Sequence, residues 1–236
     1  MILLGTLINA AVILGASLIG SMIQKRIPAR ISAAVMQALG FVLTILAITW
    51  FVKDTLVVSD QVWSTRGEGI VLGSVVLGAL LGTALNLDGR VNAMQAKLAT
   101  RMGAKGVQGF FTATILYTVG AMAILGAFRD GLQGDSSLLV MKSILDGVTS
   151  LLLSSTFGIG VAFAALPVLI YQGGLTLLAG ALEPMITPLF LTHFSQVGDI
   201  ILVVIGLQLL QWKQVKPLNW IPALLGPILL ALFGVI

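Results

Sequence analysis

The chain has 236 residues, of which 58% are hydrophobic and only 9% are charged. A soluble domain carries charge on about a quarter of its residues, so this composition excludes a water-covered globule and points to an integral membrane protein. The absence of cysteine removes disulfides, thiolate metal sites, iron–sulfur ligation and cysteine nucleophiles together. The surplus of 13 Lys and Arg over 9 Asp and Glu reads as basic cytoplasmic loops rather than as a nucleic-acid surface.

A helix crossing the hydrocarbon core needs about 20 apolar residues. Taken in chain order, such segments fall at 2–24, 32–52, 69–87, 108–127, 137–155, 158–182, 197–212 and 219–236. They predict an all-α polytopic membrane bundle of about eight spans, with residues 1–236 forming a single transmembrane domain. The first segment opens without a basic residue and is too long for a signal-peptide core, so it reads as a span. The stretch after the third segment sets Val91, Met94, Leu98 and Met102 on one helical face, the pattern of a helix lying at the membrane interface. Only Thr156 and Phe157 separate the fifth and sixth segments, which predicts a re-entrant or broken helix there.

Loop charge orients the bundle. With the N-terminus outside, the inner loops carry nine basic residues (Lys25, Arg26, Arg30, Arg90, Lys97, Arg101, Lys105, Lys213, Lys216) and the outer loops three (Lys53, Arg66, Arg129). Both termini are then external.

Residues 6–87 and 168–236 share a three-helix pattern. In each, a Gly-interrupted helix leads through a Pro-containing connector into a helix announced by Gln and Gly, at Gln37/Gly40 and Gln196/Gly198, and a third helix follows. Five spans separate the two starts, an odd number, so the copies would be inverted. Inverted repeats characterise secondary transporters, whose substrate sits between the copies near the midplane.

Three charges fall inside the segments: Lys142, Asp146 and Asp199. A charge at mid-bilayer costs about 2.5–3.5 kcal/mol on insertion scales and is usually paired and functional. Lys142 and Asp146 are i, i+4 neighbours on one face, and Thr149 and Ser150 extend that polar stripe. The pair reads either as a coupling device, in which the aspartate exchanges its lysine for a cation or proton, or as a structural lock. Asp199, three residues into its segment, reads as a solvated helix start. Pro167 and Gly173-Gly174 predict a break that aims Tyr171 and Gln172 into a cavity, or a simple kink. Asn9 matches the Tyr171/Gln172 region under the repeat and reads as a ligand oxygen or an interhelical hydrogen bond. Arg129, Asp130 and Asp135 read as an outer-loop cluster.

The segments Gly5-Thr-Leu-Ile-Asn-Ala10, Gly120-Ala-Met-Ala-Ile-Leu-Gly126, Asp130-Gly-Leu-Gln-Gly-Asp135, Lys142-Ser-Ile-Leu-Asp-Gly147 and Ala165-Leu-Pro-Val-Leu-Ile-Tyr-Gln-Gly173 carry a resemblance to the family of bacterial inner-membrane proteins typified by YqgA and YdfK. It covers nearly the whole chain and implies transport without naming a substrate. The chain departs from that family's pattern at Thr83, where an acidic residue is usual, and at Asp199, where a small one is. More distantly, residues 142–210 resemble the second half of LysE-type exporters, an analogy only.

The combined reading is a secondary transporter of a small ion or polar solute, working by alternating access around Asn9, Lys142, Asp146, Thr149, Tyr171 and Gln172. Its alternative is a noncatalytic module that packs its glycine faces, such as Gly78-xxx-Gly82, against a partner. Enzyme chemistry is not expected: His193, read as an outer-loop residue, has no second histidine, and a Ser–Lys dyad would compete with the Lys142–Asp146 pair. No cofactor is expected. Partners are the lipid bilayer and the transported solute, a homo-oligomer is compatible, nucleic acid is not, and metal binding is left open.

Overall fold

The computed structural model describes residues 2–24, 28–59, 62–91, 93, 103–212 and 215–236. All eight predicted segments fall on helical stretches. The described helices include α1 (Leu4–Gln24), α2 (Ala29–Thr55), α3 (Glu68–Ala84), α4 (Ala104–Thr118), α5 (Ala121–Gln133), α6 (Ser137–Phe157), α7 (Ala165–Leu177), the single turn α8 (Ala179–Leu182), α9 (Pro188–Leu209) and α10 (Leu225–Leu232), and residues 87–91 are helical as well. Stretches of 3₁₀ helix at Gly158–Ala164 and Pro217–Leu224 lead into α7 and α10. The fold is all-α apart from one antiparallel hairpin, β1 (Leu56–Ser59) with β2 (Val62–Thr65), registered Leu56↔Thr65 to Ser59↔Val62. Most of the predicted interfacial helix, with Met94, Leu98 and Met102, lies outside the described residues, as do Lys25, Arg26, Lys97, Arg101 and Lys213 of the loop-charge reading.

Four described stretches are long and apolar enough to cross a membrane: Leu4–Gln24, Arg30–Thr55, Ser137–Leu177 and Pro188–Leu209. A fifth is the pair Ala104–Thr118 and Met122–Gln133, bent by 61°. That bend corrects the single straight fourth segment. Glu68–Ala84 and Pro217–Leu232 are shorter apolar helices.

The helices are inside-out relative to those of a soluble protein. The inward face of α1 is small and polar (Gly5, Thr6, Asn9, Ser17, Gly20, with Ile13), whereas Leu7, Leu14, Leu18 and Ile19 are exposed. In α3 the buried positions are Val71, Ser74, Gly78 and Gly82, and Leu72, Val76, Leu77 and Leu80 face out. Lipid offers no hydrophobic gain for helix association, so small residues that permit close backbone approach line the contacts.

By contact the chain divides into two compact units, each built from two stretches: residues 1–37 with 93–183, and 38–92 with 184–236. In the first, α1 and α6 run parallel. A Cβ added at Gly5 would lie 2.6 Å from Leu139 Cβ, one at Gly20 would strike Ser154 and Leu151, and Gln24 Nε2 donates to the Thr156 carbonyl at 2.9 Å. The 41 residues of Ser137–Leu177 would span about 60 Å as one straight helix, twice the hydrocarbon core. They double back instead, since Gly173 in α7 lies beside Leu3 and Thr6 of α1, at the level where α6 starts. The reversal begins at Gly158, whose φ of +81° is left-handed backbone that disfavours any residue with a Cβ.

This locates the helix break. It falls at the Thr156–Phe157 junction, where a re-entrant or broken helix was expected, while the second break expected from Pro167 to Gly174 is absent: the helix is continuous through Gly173-Gly174, and Pro167 sits in its first turn, where a missing amide leaves no bond unmade. The interruption is the 3₁₀ segment before it.

In the second unit α3 packs on the 3₁₀ segment Pro217–Leu224: an added Cβ at Gly78 would meet Ala223, and one at Gly82 would meet Asn219. The seventh helix starts at Pro188, nine residues before the expected 197, because Thr187 caps it by accepting from Phe190 N at 2.9 Å, with proline at the first helical position. His193 therefore lies in a helix and is 2% exposed, not in an outer loop. Asp199, likewise, is in the helix interior and 5% exposed, not at a solvated start.

A buried polar cluster as the candidate functional site

The first unit gathers its polar side chains where α1, α4, α6 and α7 meet. The i, i+4 spacing on α6 brings Lys142 and Asp146 into a salt bridge through Asp146 Oδ2, with both residues buried. The same carboxylate oxygen accepts from Asn9 Nδ2 at 3.0 Å, and Asn9 Nδ2 also donates to Gln172 Oε1 at 3.2 Å. A carboxylate only accepts, so Asn9 must present its amino group to Asp146 and turn its carbonyl away. On the far side, Lys142 Nζ lies 5.8 Å from the centroid of the Tyr117 ring, within range of a cation–π attraction. Tyr117, 1% exposed, shares a 2.7 Å hydrogen bond with Ser150.

Four of the six expected site residues, Asn9, Lys142, Asp146 and Gln172, are thus joined in one network. The other two stand apart: Thr149 donates to the carbonyl of Leu145 at 2.8 Å, as an ordinary helical threonine does, and Tyr171, half-buried, makes no hydrogen bond to the cluster. Tyr117 was not foreseen. It sits within an apolar helix, and a tyrosine there was the available signal, because a buried phenol seeks a partner. Ser150 faces Tyr117, not Lys142, while Ser154 and Ser155 donate to the carbonyls of Leu151 and Leu152.

Several buried atoms around this network have no hydrogen-bond partner: Thr6 Oγ1, Asn9 Oδ1, Ser17 Oγ, Gln172 Nε2 and Thr176 Oγ1. Asp130 belongs with them. It was read as a loop residue, but it lies in α5, is fully buried, and both its carboxyl oxygens are unpartnered. The amides of Leu3 and Gly5, at the start of α1, favour its charge electrostatically, although neither closes a hydrogen bond of good geometry. Asp135, five residues on, is half-buried, and hydrogen bonds from the side chain and amide of Ser137 hold its carboxyl below the usual range.

The second unit has its own polar knot. Gln196 Nε2 donates to the Asp54 carbonyl (3.1 Å), the Arg66 carbonyl (3.0 Å) and Thr55 Oγ1 (3.2 Å), and Gln196 Oε1 meets His193 Nδ1 at 2.8 Å. This ties both ends of the hairpin to α9. Thr83 is exposed, and Asp199 interacts electrostatically with Asp54 and Lys53. An apolar cavity of about 220 Å³, lined by Phe51, Val71, Leu72, Val75 and Ile200 with Arg66 and Glu68, lies nearby. Among the described residues no three His, Asp or Glu converge as metal ligands.

The family described as "Protein of unknown function (DUF554)" matches residues 4–232. The chain is 33% identical to the uncharacterized membrane protein YdfK of Bacillus subtilis (strain 168), with 94% of this chain and 93% of that one covered. It is 30% identical to the uncharacterized protein YqgA of Escherichia coli (strain K12), with 94% and 93% covered. No solved structure matches. With a helical bundle whose apolar faces point outward and relatives matched from end to end, the chain is a membrane protein belonging to the DUF554 family.

Proposed function

We propose that this protein is a secondary transporter of a small ion or polar solute, a multi-pass protein of the bacterial cytoplasmic membrane with both termini outside, working by alternating access around the cluster of Asn9, Lys142, Asp146 and Gln172. The observation that carries the reading is the buried Lys142–Asp146 pair held by Asn9 and Gln172 from two other helices. Such a pair is costly in a bilayer, and well-packed apolar residues would serve stability as well or better. Asp146 binds both its partners through one oxygen, which leaves the other for a ligand, and a cation arriving there competes directly with Lys142.

An inverted repeat is supported by how the matched helices pair. The first helix of each copy meets the other through Asn9 and Gln172. The second helices approach at Gly40 and Gly206, and the third at Gly78 and Ala223.

The packing-module alternative loses its main surface, because Gly78 and Gly82 are already occupied by the chain's own Pro217–Leu224 segment. Water access tests the reading. The chain has no native cysteine, so Asn9→Cys, Asp146→Cys and Gln172→Cys can be probed singly with a membrane-impermeant thiol reagent in oriented vesicles. Transport predicts labelling from both faces of the membrane. Protection from both sides, with no uptake by proteoliposomes, overturns the reading.

A further inference from the structure

The apolar cavity of the second unit takes no part in its polar bonding. Its walls are Phe51 near the end of α2, Val71, Leu72 and Val75 in the first turns of α3, and Ile200 of α9, around a volume of about 220 Å³. The lining surface is almost entirely apolar. Water needs several polar partners to settle in a cavity, so a void of this kind stays dry and takes an apolar occupant. Leu72 is 66% exposed, on the outward face of α3, so the cavity opens where a membrane protein meets acyl chains. Its volume suits a stretch of one chain, since pockets for whole small molecules run from about 300 Å³ upward.

The polarity changes at the junction of the hairpin with α3. Arg66 and Glu68 border the cavity there, and both are exposed. They are opposite in charge and two residues apart, yet neither forms an ion pair among the described residues. The Arg66 backbone is fixed, its amide donating to the Thr55 carbonyl at 3.0 Å and its carbonyl accepting from Gln196 Nε2 at 3.0 Å. Trp63, 70% exposed on the adjoining strand, marks this end as headgroup level, where tryptophan collects in membrane proteins.

Apolar walls bordered by two separate charges follow the order of groups in a phospholipid. A free phosphate or a soluble metabolite would leave the apolar walls unused. A fatty acid or phosphatidylglycerol would satisfy Arg66 but set a second negative charge beside Glu68. A headgroup carrying both phosphate and primary ammonium satisfies both residues, the phosphate accepting from the guanidinium and the ammonium donating to the carboxylate.

We infer that the second unit binds one phosphatidylethanolamine molecule, with part of an acyl chain in the cavity between α2, α3 and α9, its phosphate on Arg66 and its ammonium on Glu68. The lipid fills the gap between three helices and fastens the hairpin at the membrane surface. The site is built from the second unit alone and does not depend on the transport reading.

The test takes the full-length protein in detergent, stripped of lipid and titrated with phosphatidylethanolamine, phosphatidylglycerol or phosphatidylcholine, and reads native mass spectra and thermal unfolding. Phosphatidylethanolamine should bind once per chain and raise the melting temperature saturably, by about 5 °C or more at a hundredfold excess over its midpoint. Phosphatidylglycerol lacks the ammonium, and the quaternary ammonium of phosphatidylcholine has no hydrogen to donate, so each should bind about tenfold more weakly or worse. Glycerophosphoethanolamine, the headgroup without chains, should give no shift. Val75→Phe, which fills the cavity, should abolish lipid retention. Arg66→Gln alters only an exposed side chain, so it keeps the test decisive if Val75→Phe folds poorly. It should raise the phosphatidylethanolamine midpoint about tenfold or more, with the lipid-free melting temperature unchanged. Equal stabilisation by the three lipids, preference for phosphatidylglycerol, a full response to the headgroup alone, or phosphatidylethanolamine binding unchanged by Arg66→Gln each overturns the site.

Discussion

The two units treat buried polarity in opposite ways. In the second, Gln196 spends its amide on three acceptors and its carbonyl on His193, and the helices close on glycine at Gly78 and Gly82. In the first, the polar residues face one another with bonds left over. Of ten buried side-chain atoms without a partner among the described residues, nine belong to the first unit, and the remaining one is Asp199 Oδ2. Satisfied networks fix a structure, whereas unsatisfied ones are tolerated where something else is bound. In the proposed reading the second unit is the scaffold and the first holds the ligand.

The strongest way to break that contrast is to strand a charge in the first unit. Asp146→Asn leaves Lys142 buried without its counter-ion and should cost about 3–5 kcal/mol, read as a loss of thermal stability. The double change Lys142→Met with Asp146→Leu removes both charges and should recover most of that stability while abolishing uptake. A double variant that retains uptake would show the pair to be a lock.

A scaffold is expected to respond differently. Gln196→Leu leaves the carbonyls of Asp54 and Arg66 and the Thr55 hydroxyl without this donor, at about 1–3 kcal/mol, and it should loosen the hairpin, seen as faster amide exchange at residues 56–65, with no effect on uptake. If Gln196→Leu instead abolishes uptake at unchanged stability, the division of labour is wrong.

Much of this was legible from residue types. Segment positions followed from apolar runs, and the Lys142–Asp146 pairing from its i, i+4 spacing, because helix geometry is local. What failed depended on where helices begin and bend. His193 and Asp199 were misplaced because Thr187-Pro188 lies outside the apolar run yet starts the helix by capping. Asp130 was assigned to a loop because it sits among Arg129, Gly131 and Asp135, and only the packing of Gly131 on α7 draws it inward. Tyr117 joined the cluster through a long-range contact with Ser150 that no local pattern encodes.

Glycine substitutions sharpen the comparison at smaller cost. Gly82→Ala would set a Cβ against the backbone of Asn219, 2.8 Å from its Cα, and Asn219 Oδ1 accepts from Asp88 N at 2.9 Å. Overpacking there should cost about 1–3 kcal/mol. Gly73→Ala on the same helix meets nothing within 4 Å and should gain about 0.5–1 kcal/mol from helix propensity. Equal responses at both positions would mean that α3 does not pack on Pro217–Leu224.

The smallest expected effect separates two aspartates five residues apart. Asp130 is buried in α5, while Asp135 is half-buried before α6 and accepts from the Ser137 amide at 3.0 Å. The bonds from Ser137 depress the Asp135 carboxyl below its ordinary value of 3.8. A depressed carboxyl contributes stability that is fully present above its unfolded pKa and is lost as pH falls through the folded one, so its influence is confined to acid below that value. Its partial exposure leaves the effect small and screened by salt. Ser137→Ala should therefore move the Asp135 titration upward, followed by carboxyl carbon NMR, without altering the melting temperature at neutral pH. Asp130→Asn, by contrast, should alter the melting temperature at neutral pH and leave the Asp135 titration nearly in place. A Ser137→Ala variant that loses thermal stability at neutral pH would mean that Asp135 communicates with the buried Asp130.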